Sequence, residues 1–156
     1  MTAPSADLRW SGSRLAAAVL MAVAGCGTVY TALSSHVLGP EASARPIYAA
    51  AAAAGMVAGW FHISRGLGHG LGQAALGGVS AGVLGTIYFL VLAGVWQTVD
   101  AYHYTHFDSV MALLDNLVLQ MVKVFWIATE PQSLLTILIG AATAGMYAEH
   151  VRRAWD

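Results

Sequence analysis

The sequence predicts an all-α integral membrane protein: a single domain, residues 1–156, with four transmembrane helices and one amphipathic helix before the last of them. Three observations lead to this fold class. Of the 156 residues, 58 % are hydrophobic and only 10 % are charged, whereas a soluble domain carries about 25 % charged residues. The mean hydropathy is +0.64. The apolar residues form stretches long enough to cross a hydrocarbon core of about 30 Å, which requires about 20 helical residues.

The composition and the motif content exclude several classes of protein. Seven basic and eight acidic residues give a formal net charge of −1, so the chain lacks a basic surface for phosphate backbones, and nucleic acid is not an expected partner. The sequence contains no CxxC, P-loop, haem-attachment or nucleophile–base motif, and we expect neither an enzyme nor a bound cofactor. The glycine-rich segment 66–72 follows no predicted strand, so it predicts a tight turn rather than a phosphate-binding loop.

Four stretches meet the length requirement for a span, at about residues 15–33, 47–63, 74–98 and 133–148. The first contains Val23-Ala24-Gly25-Cys26, which is also typical of a lipoprotein signal. Apolar residues continue past Cys26 to Leu33, which favours a span over a cleaved signal. Whether Cys26 is lipidated stays open. The second stretch follows Pro46, a residue that suits a helix start.

The segment at about residues 107–128 has the length of a span but carries polar residues on one side. Asp108, Asp115, Asn116, Gln120 and Lys123 fall within an arc of about 140° when they are placed on a helix. This pattern predicts an amphipathic helix that lies at the membrane interface, or one that leans its polar face on other spans.

The distribution of basic residues predicts the orientation of the chain. With four spans, both termini lie on one side of the membrane, together with Arg9, Arg14, Arg65, Arg152 and Arg153. Arg45 and Lys123 lie on the opposite side. Because cytoplasmic segments carry the excess of Lys and Arg, both termini are predicted to be cytoplasmic.

Small residues four positions apart predict where the helices touch. In lipid, helices associate through close backbone contact rather than through the hydrophobic effect. We expect these small residues to form contacts between the helices of one bundle within the lipid bilayer. The alternative is that they form a homo-oligomer interface or contact other membrane protein subunits. The predicted packing residues are Gly55, Gly59, Gly78, Gly82, Gly85, Gly140 and Gly145.

Two groups of polar residues are candidates for chemistry. Asp100, His103 and His106 would share one face of a helix, and imidazole and carboxylate groups bind zinc and similar ions. Two histidines and a carboxylate also occur readily by chance, so the alternative is a belt of Tyr and His side chains at the headgroups, with Thr105 or Asp108 capping the next helix. A second group would form a cluster if the second and fourth spans were neighbours, although contact with lipid phosphates and water is the simpler expectation. Its members are His62, Arg65, His69, Glu149 and His150.

The second half of the chain resembles a known family of small membrane proteins. The resemblance is carried by Leu138-Ile139-Gly140, Ala144-Gly145, Ala148-Glu149 and Arg152-Arg153-Ala154-Trp155, and earlier by Gly59-Trp60, Arg65, Gly68 and Gly70. In these residues the chain is similar to the bacterial TrgA family, which is linked to tellurite resistance. The resemblance covers most of the chain from about residue 47 onward.

This resemblance implies a non-enzymatic four-span protein of the bacterial inner membrane, with an amphipathic segment before the last span, that is associated with tellurite resistance or envelope stress. It brings neither catalytic residues nor a mechanism. The chain departs from the family between residues 103 and 108, where histidines replace an arginine-rich stretch. A structural accessory subunit of a larger respiratory or photosynthetic complex is the alternative function, because small spans rich in Gly and Ala suit that role equally well.

Overall fold

The computed structural model describes residues 5–34, 44–104 and 109–155, with the side chains of 12–34, 45–63, 65–103, 109–126 and 128–154. These residues form five α-helices and one short 3-10 helix, Ile63–Arg65, and contain no strand. The all-α prediction is confirmed. The helices are α1 (Ser5–Ser34), α2 (Ala44–His62), α3 (Leu71–Tyr104), α4 (Val110–Ala128) and α5 (Pro131–Trp155).

Four of the helices form a closed antiparallel ring. α1 packs against α2 and α5, and α3 packs against the same two helices from the opposite side. The centre of the ring is filled mainly by alanine, including Ala17, Ala58, Ala81 and Ala141, each of which is fully buried. Larger apolar side chains point outward, as expected for helices whose outer surface faces lipid tails rather than water.

The small side chains of glycine and alanine allow the backbones of neighbouring helices to approach each other closely. A Cβ atom added to Gly78 of α3 would fall on the carbonyl oxygen of Ala141 in α5 and lie 3.2 Å from the amide nitrogen of Gly145. A Cβ atom added to Gly55 of α2 would lie 2.9 Å from the Cα of Ala22 in α1. Any larger side chain at these positions would separate the helices.

The remaining predicted packing glycines also lie in contacts between helices of the same chain. A Cβ atom added at any of them would lie within 3.2 Å of an atom in a neighbouring helix. The distances are 2.8 Å from Gly59 to the Cα of Ala18, 2.8 Å from Gly82 to the Cβ of Ala141, 3.2 Å from Gly85 to the Cβ of Ala58, 2.7 Å from Gly140 to the Cβ of Ala24, and 3.1 Å from Gly145 to the Cα of Gly78.

The helix α4 packs outside the ring, along the C-terminal part of α3. Gly94 of α3 lies against Leu117 and Met121 of α4. Tyr102, later in α3, and Leu113, earlier in α4, line one pocket between the two helices, so the helices are antiparallel. The face that α4 turns toward α3 is therefore apolar, whereas Asp115 and Lys123 are exposed. One alternative predicted from the sequence was that the polar face of α4 packs on other helices. The contact between α4 and α3 does not use that face.

The start of α4 also differs in detail from the sequence prediction. Ser109 caps the helix, because its Oγ accepts a hydrogen bond of 3.2 Å from the amide of Ala112. The predicted caps, Thr105 and Asp108, lie outside the described residues.

Three helices, not four, are long and apolar enough to cross a membrane by length and composition: Gly12–Ser34, Leu71–His103 and Pro131–Ala154. The predicted span at residues 47–63 corresponds to α2, which is a helix but is not among the three. Its 19 residues include six consecutive alanines, and Arg45 and His62 lie at its ends. Alanine is only weakly apolar, so a length close to the minimum leaves α2 short of the requirement.

Candidate functional site: the buried Glu149 cluster

The connection between α2 and α3 is a compact turn. The chain leaves α2 through the 3-10 helix Ile63–Arg65 and reverses direction before α3 begins at Leu71. Gly68 and Gly70 have φ angles of +95° and +105°, which side chains with a Cβ rarely adopt. Ile63 and Leu67 are buried beneath the turn, so these two apolar side chains anchor the turn to the end of the helix ring.

The carboxylate of Glu149 binds this turn from the last part of α5. Its side chain is fully buried, and Oε2 accepts a hydrogen bond of 2.8 Å from the backbone amide of Gly68. Arg152 donates from Nε to Oε2 at 3.1 Å and from Nη2 to Oε1 at 3.2 Å. Arg153 donates from Nε to Oε1 at 3.0 Å. We call Gly68, Glu149, Arg152 and Arg153 the Glu149 cluster.

The spacing of these residues along α5 explains the geometry. Arg152 and Arg153 follow Glu149 by three and four positions, which places both arginines on the same helix face as the carboxylate. A two-pronged Arg–carboxylate contact is among the stronger charge-assisted hydrogen-bonding arrangements. Four donors therefore act on one buried carboxylate, which is how such a charge is tolerated away from water.

The Glu149 cluster accounts for only part of the polar group predicted from sequence. α5 packs against α1 and α3 rather than against α2, and it meets the α2–α3 turn through Gly68. His62 lies instead at the contact between α2 and α3, where its Nε2 is 3.0 Å from the hydroxyl of Tyr88. Arg65, His69 and His150 are exposed.

The candidate metal ligands lie near the opposite end of the molecule. Asp100 and His103 are exposed in the last turns of α3, and His106 lies outside the described residues. Within the part of the chain that the structure describes, no three His, Cys, Asp or Glu side chains are gathered as a metal ion would require.

Sequence reasoning missed the burial of Glu149, although a signal was present. The run Glu149-His150-Val151-Arg152-Arg153 pairs one acid with two bases at helical spacing, directly after an apolar stretch. That pattern indicates a carboxylate whose charge is neutralised by arginines of the same helix.

No protein-family model, no curated protein and no solved structure matches the chain.

Proposed function

We propose that this chain is a non-enzymatic protein of the bacterial inner membrane, of the TrgA type, that contributes to tellurite resistance as a compact helical scaffold. The link to tellurite rests on the resemblance between residues 138 and 155, and one observation above all supports the role of a scaffold. Among the described side chains, Glu149 is the one charged group that is buried, and its two oxygens are occupied by structural hydrogen bonds. Intramembrane charges commonly mark ion pathways and proton relays. The carboxylate of Glu149 instead binds the α2–α3 turn through the amide of Gly68.

The proposal places four helices in the membrane, with both termini in the cytoplasm. Support comes from the position of α2, which closes the ring between α1 and α3 and so shares their depth. The antiparallel order brings Arg14, Arg65, Arg152 and Arg153 to one end of the ring and Arg45 to the other. This asymmetry favours a cytoplasmic location for the arginine-rich end.

Deletion of the gene, followed by measurement of the minimal inhibitory concentration of tellurite, tests the function. We expect the deletion strain to be more sensitive, and the wild-type gene to restore resistance. Glu149→Gln should restore less than Asp115→Asn, because Asp115 is exposed on α4 while Glu149 holds the bundle end. Equal tolerance in the wild-type and deletion strains would refute the tellurite assignment.

A second candidate function is that of an accessory subunit in a larger membrane complex, for which the outer face of α4 would be the contact surface. Met111, Val118 and Trp126 are 69 %, 59 % and 71 % exposed, and α4 packs principally on α3. Such a face contacts either lipid or another membrane protein.

Mild extraction followed by native-gel mass spectrometry separates the two candidates. Co-migration with a large complex favours the accessory subunit, and its loss in Val118→Gln would assign the contact to α4. A single small species, or a homo-oligomer, favours the scaffold.

A further inference from the structure

The ring of helices encloses a narrow cavity that the scaffold role does not use. All five α-helices contribute to its wall, its volume is about 50 Å³, and it is partly open. A cavity that holds one benzene molecule measures about 150 Å³, whereas one water molecule requires about 10–15 Å³. The cavity is therefore too small for most organic ligands, and it has room for about three to five water molecules.

Two polar side chains on the wall have no partner within the part of the chain that the structure describes. The side chain of Ser133 in α5 is fully buried, and its Oγ makes no hydrogen bond. Gln97 of α3 also lines the cavity. Its side chain is half-buried, and its amide takes part in none of the hydrogen bonds among the described residues. Because burial without a hydrogen bond destabilises a polar group, both side chains favour a hydrogen-bonding molecule inside the cavity.

Two threonines provide further acceptors on a wall that is otherwise apolar. Thr28 donates to the carbonyl of Ala24 at 2.9 Å, and Thr86 donates to that of Gly82 at 3.0 Å. Each threonine oxygen keeps a lone pair that accepts a further hydrogen bond. A buried water molecule makes about three hydrogen bonds, which hydroxyl and amide groups supply. None of the described residues on the wall is charged, so an ion inside the cavity would lose its hydration without compensation.

The two side chains without a partner lie toward the same end of the cavity. Ser133 is in the first turn of α5, and Gln97 is in the C-terminal part of α3. Val124 and Ala128 of α4 line the cavity at this end of the ring, and both are buried, at 4 % and 7 % exposure. Met21 lies at the other end, near the middle of the bundle, where the wall is apolar. Water is therefore expected beside Ser133 rather than beside Met21.

From this geometry we propose that the cavity is a hydration site, in which a cluster of about three to five water molecules forms hydrogen bonds with Ser133 and Gln97. Water fits because it is small, neutral, and both a donor and an acceptor. The cluster links the start of α5 to α3 beneath the cover of α4, in a bundle whose other helix contacts are made by small apolar residues. This site is independent of the tellurite proposal.

Water-edited solid-state NMR tests the site directly. The full chain, uniformly isotope-labelled, is reconstituted in lipid membranes, and the transfer of magnetisation from water protons to each side chain is followed over time. We expect the Cβ signal of Ser133, identified by its loss in Ser133→Ala, to rise nearly as fast as that of the exposed Ser109. Ala17 is fully buried at the centre of the ring and does not line the cavity, so its signal should rise slowly. A Ser133 signal that rises as slowly as that of Ala17 would overturn the proposal.

The unfolding temperature of Ser133→Ala distinguishes a hydrated cavity from a dry one. With water bound, the substitution removes a hydroxyl that has a partner, and it should lower the unfolding temperature by roughly 1–4 °C. In a dry cavity the same substitution removes an unpaired hydroxyl, which raises the unfolding temperature. Ser80→Ala, at an exposed serine of α3, is the matched control and should have a smaller effect. An unfolding temperature of Ser133→Ala at or above that of the wild type would contradict hydration.

Gln97→Met tests whether one water cluster serves both side chains. Methionine has about the length of glutamine but no amide, so the cluster loses a partner and the transfer of magnetisation to Ser133 should slow. The losses in unfolding temperature caused by Gln97→Met and Ser133→Ala should not add in the double variant, because either substitution alone disrupts the shared cluster. Additive losses, or an unchanged transfer to Ser133 in Gln97→Met, would overturn the water link between α3 and α5.

Discussion

At the scale of single residues, Glu149 combines two unfavourable features that its neighbours offset. A buried carboxylate loses its hydration, and its place near the C-terminus of α5 puts it close to the negative end of the helix dipole. Arg152 and Arg153 in the last turn offset both effects, and the amide of Gly68 provides a further donor. The same bonds tie the α2–α3 turn to α5, so one side chain fixes two distant parts of the chain.

Removing the charge of Glu149 should therefore destabilise the protein. Glu149→Gln keeps the shape but leaves two arginines without their counter-charge, and we expect a loss of about 1–3 kcal/mol in the free energy of unfolding, because both arginines are partly solvated. Unfolding by heat, followed by circular dichroism in lipid discs, measures it. Asp115→Asn is the matched control and should change little.

The two arginines should differ in their contributions. Arg152 makes two of the hydrogen bonds to Glu149 and its side chain is 28 % exposed, whereas Arg153 makes one and is 51 % exposed. Arg152→Ala should lower the unfolding temperature more than Arg153→Ala. The reverse order would show that the two-pronged contact is not the stronger one.

At the scale of helices, the ring depends on positions where no side chain fits. The contact of α3 with α5 depends on Gly78 and Gly145, which let the two backbones approach closely. Close packing supplies the attraction that the hydrophobic effect does not supply in lipid. A stripe of small residues is thus a requirement of the bundle and not merely a feature of its composition.

Enlarging one such position and one open position should give opposite results. Gly78→Ala places a Cβ 2.9 Å from the carbonyl carbon of Ala141 and should cost roughly 1–3 kcal/mol by forcing the helices apart. Gly72→Ala, also in α3, meets no atom within 4 Å. It should be neutral or stabilising by up to about 1 kcal/mol, because alanine is the better helix former. Similar unfolding temperatures for the two variants would contradict this account.

Much of the helical framework follows from apolar stretch length and turn residues, but the finer features do not. The predicted spans lie within or close to the observed helices. Hydropathy did not indicate that α3 would continue to Tyr104 and provide the surface on which α4 packs. The extension of a helix beyond its apolar stretch depends on a tertiary partner, which here is α4. Nor did the arc of polar residues on α4 predict its contact face, since Leu117 and Met121 pack where shape, rather than polarity, matches Gly94. The pairing of Glu149 with Gly68 joins residues 81 positions apart, which no local pattern specifies.

At the scale of the whole molecule, α3 is the longest element and defines the asymmetry of the fold. Its 34 residues span about 51 Å, more than the hydrocarbon core of about 30 Å. The part beyond the ring pairs with α4, so the molecule is a four-helix ring with a helical hairpin on one end. The arginine-rich end lies opposite this hairpin.

Cysteine labelling of intact cells tests the four-span orientation. In a Cys26→Ser background, which removes the one cysteine of the sequence, we expect an impermeant maleimide to label Arg45→Cys. It should not label Arg65→Cys or Ala154→Cys until the cells are permeabilised. All three positions are exposed. If α2 does not cross, Arg65→Cys becomes reactive in intact cells, and the four-span arrangement is wrong.

The contact between α1 and α5 has a consequence for biosynthesis. Gly140 of α5 packs on Ala24 of α1, yet the ribosome must complete α2, α3 and α4 before α5 emerges. During that interval the α5-facing groove of α1 is open to other helices near the translocon. A chain interrupted before α5 therefore keeps that groove uncovered. Closure of the ring therefore requires that synthesis has proceeded through α5.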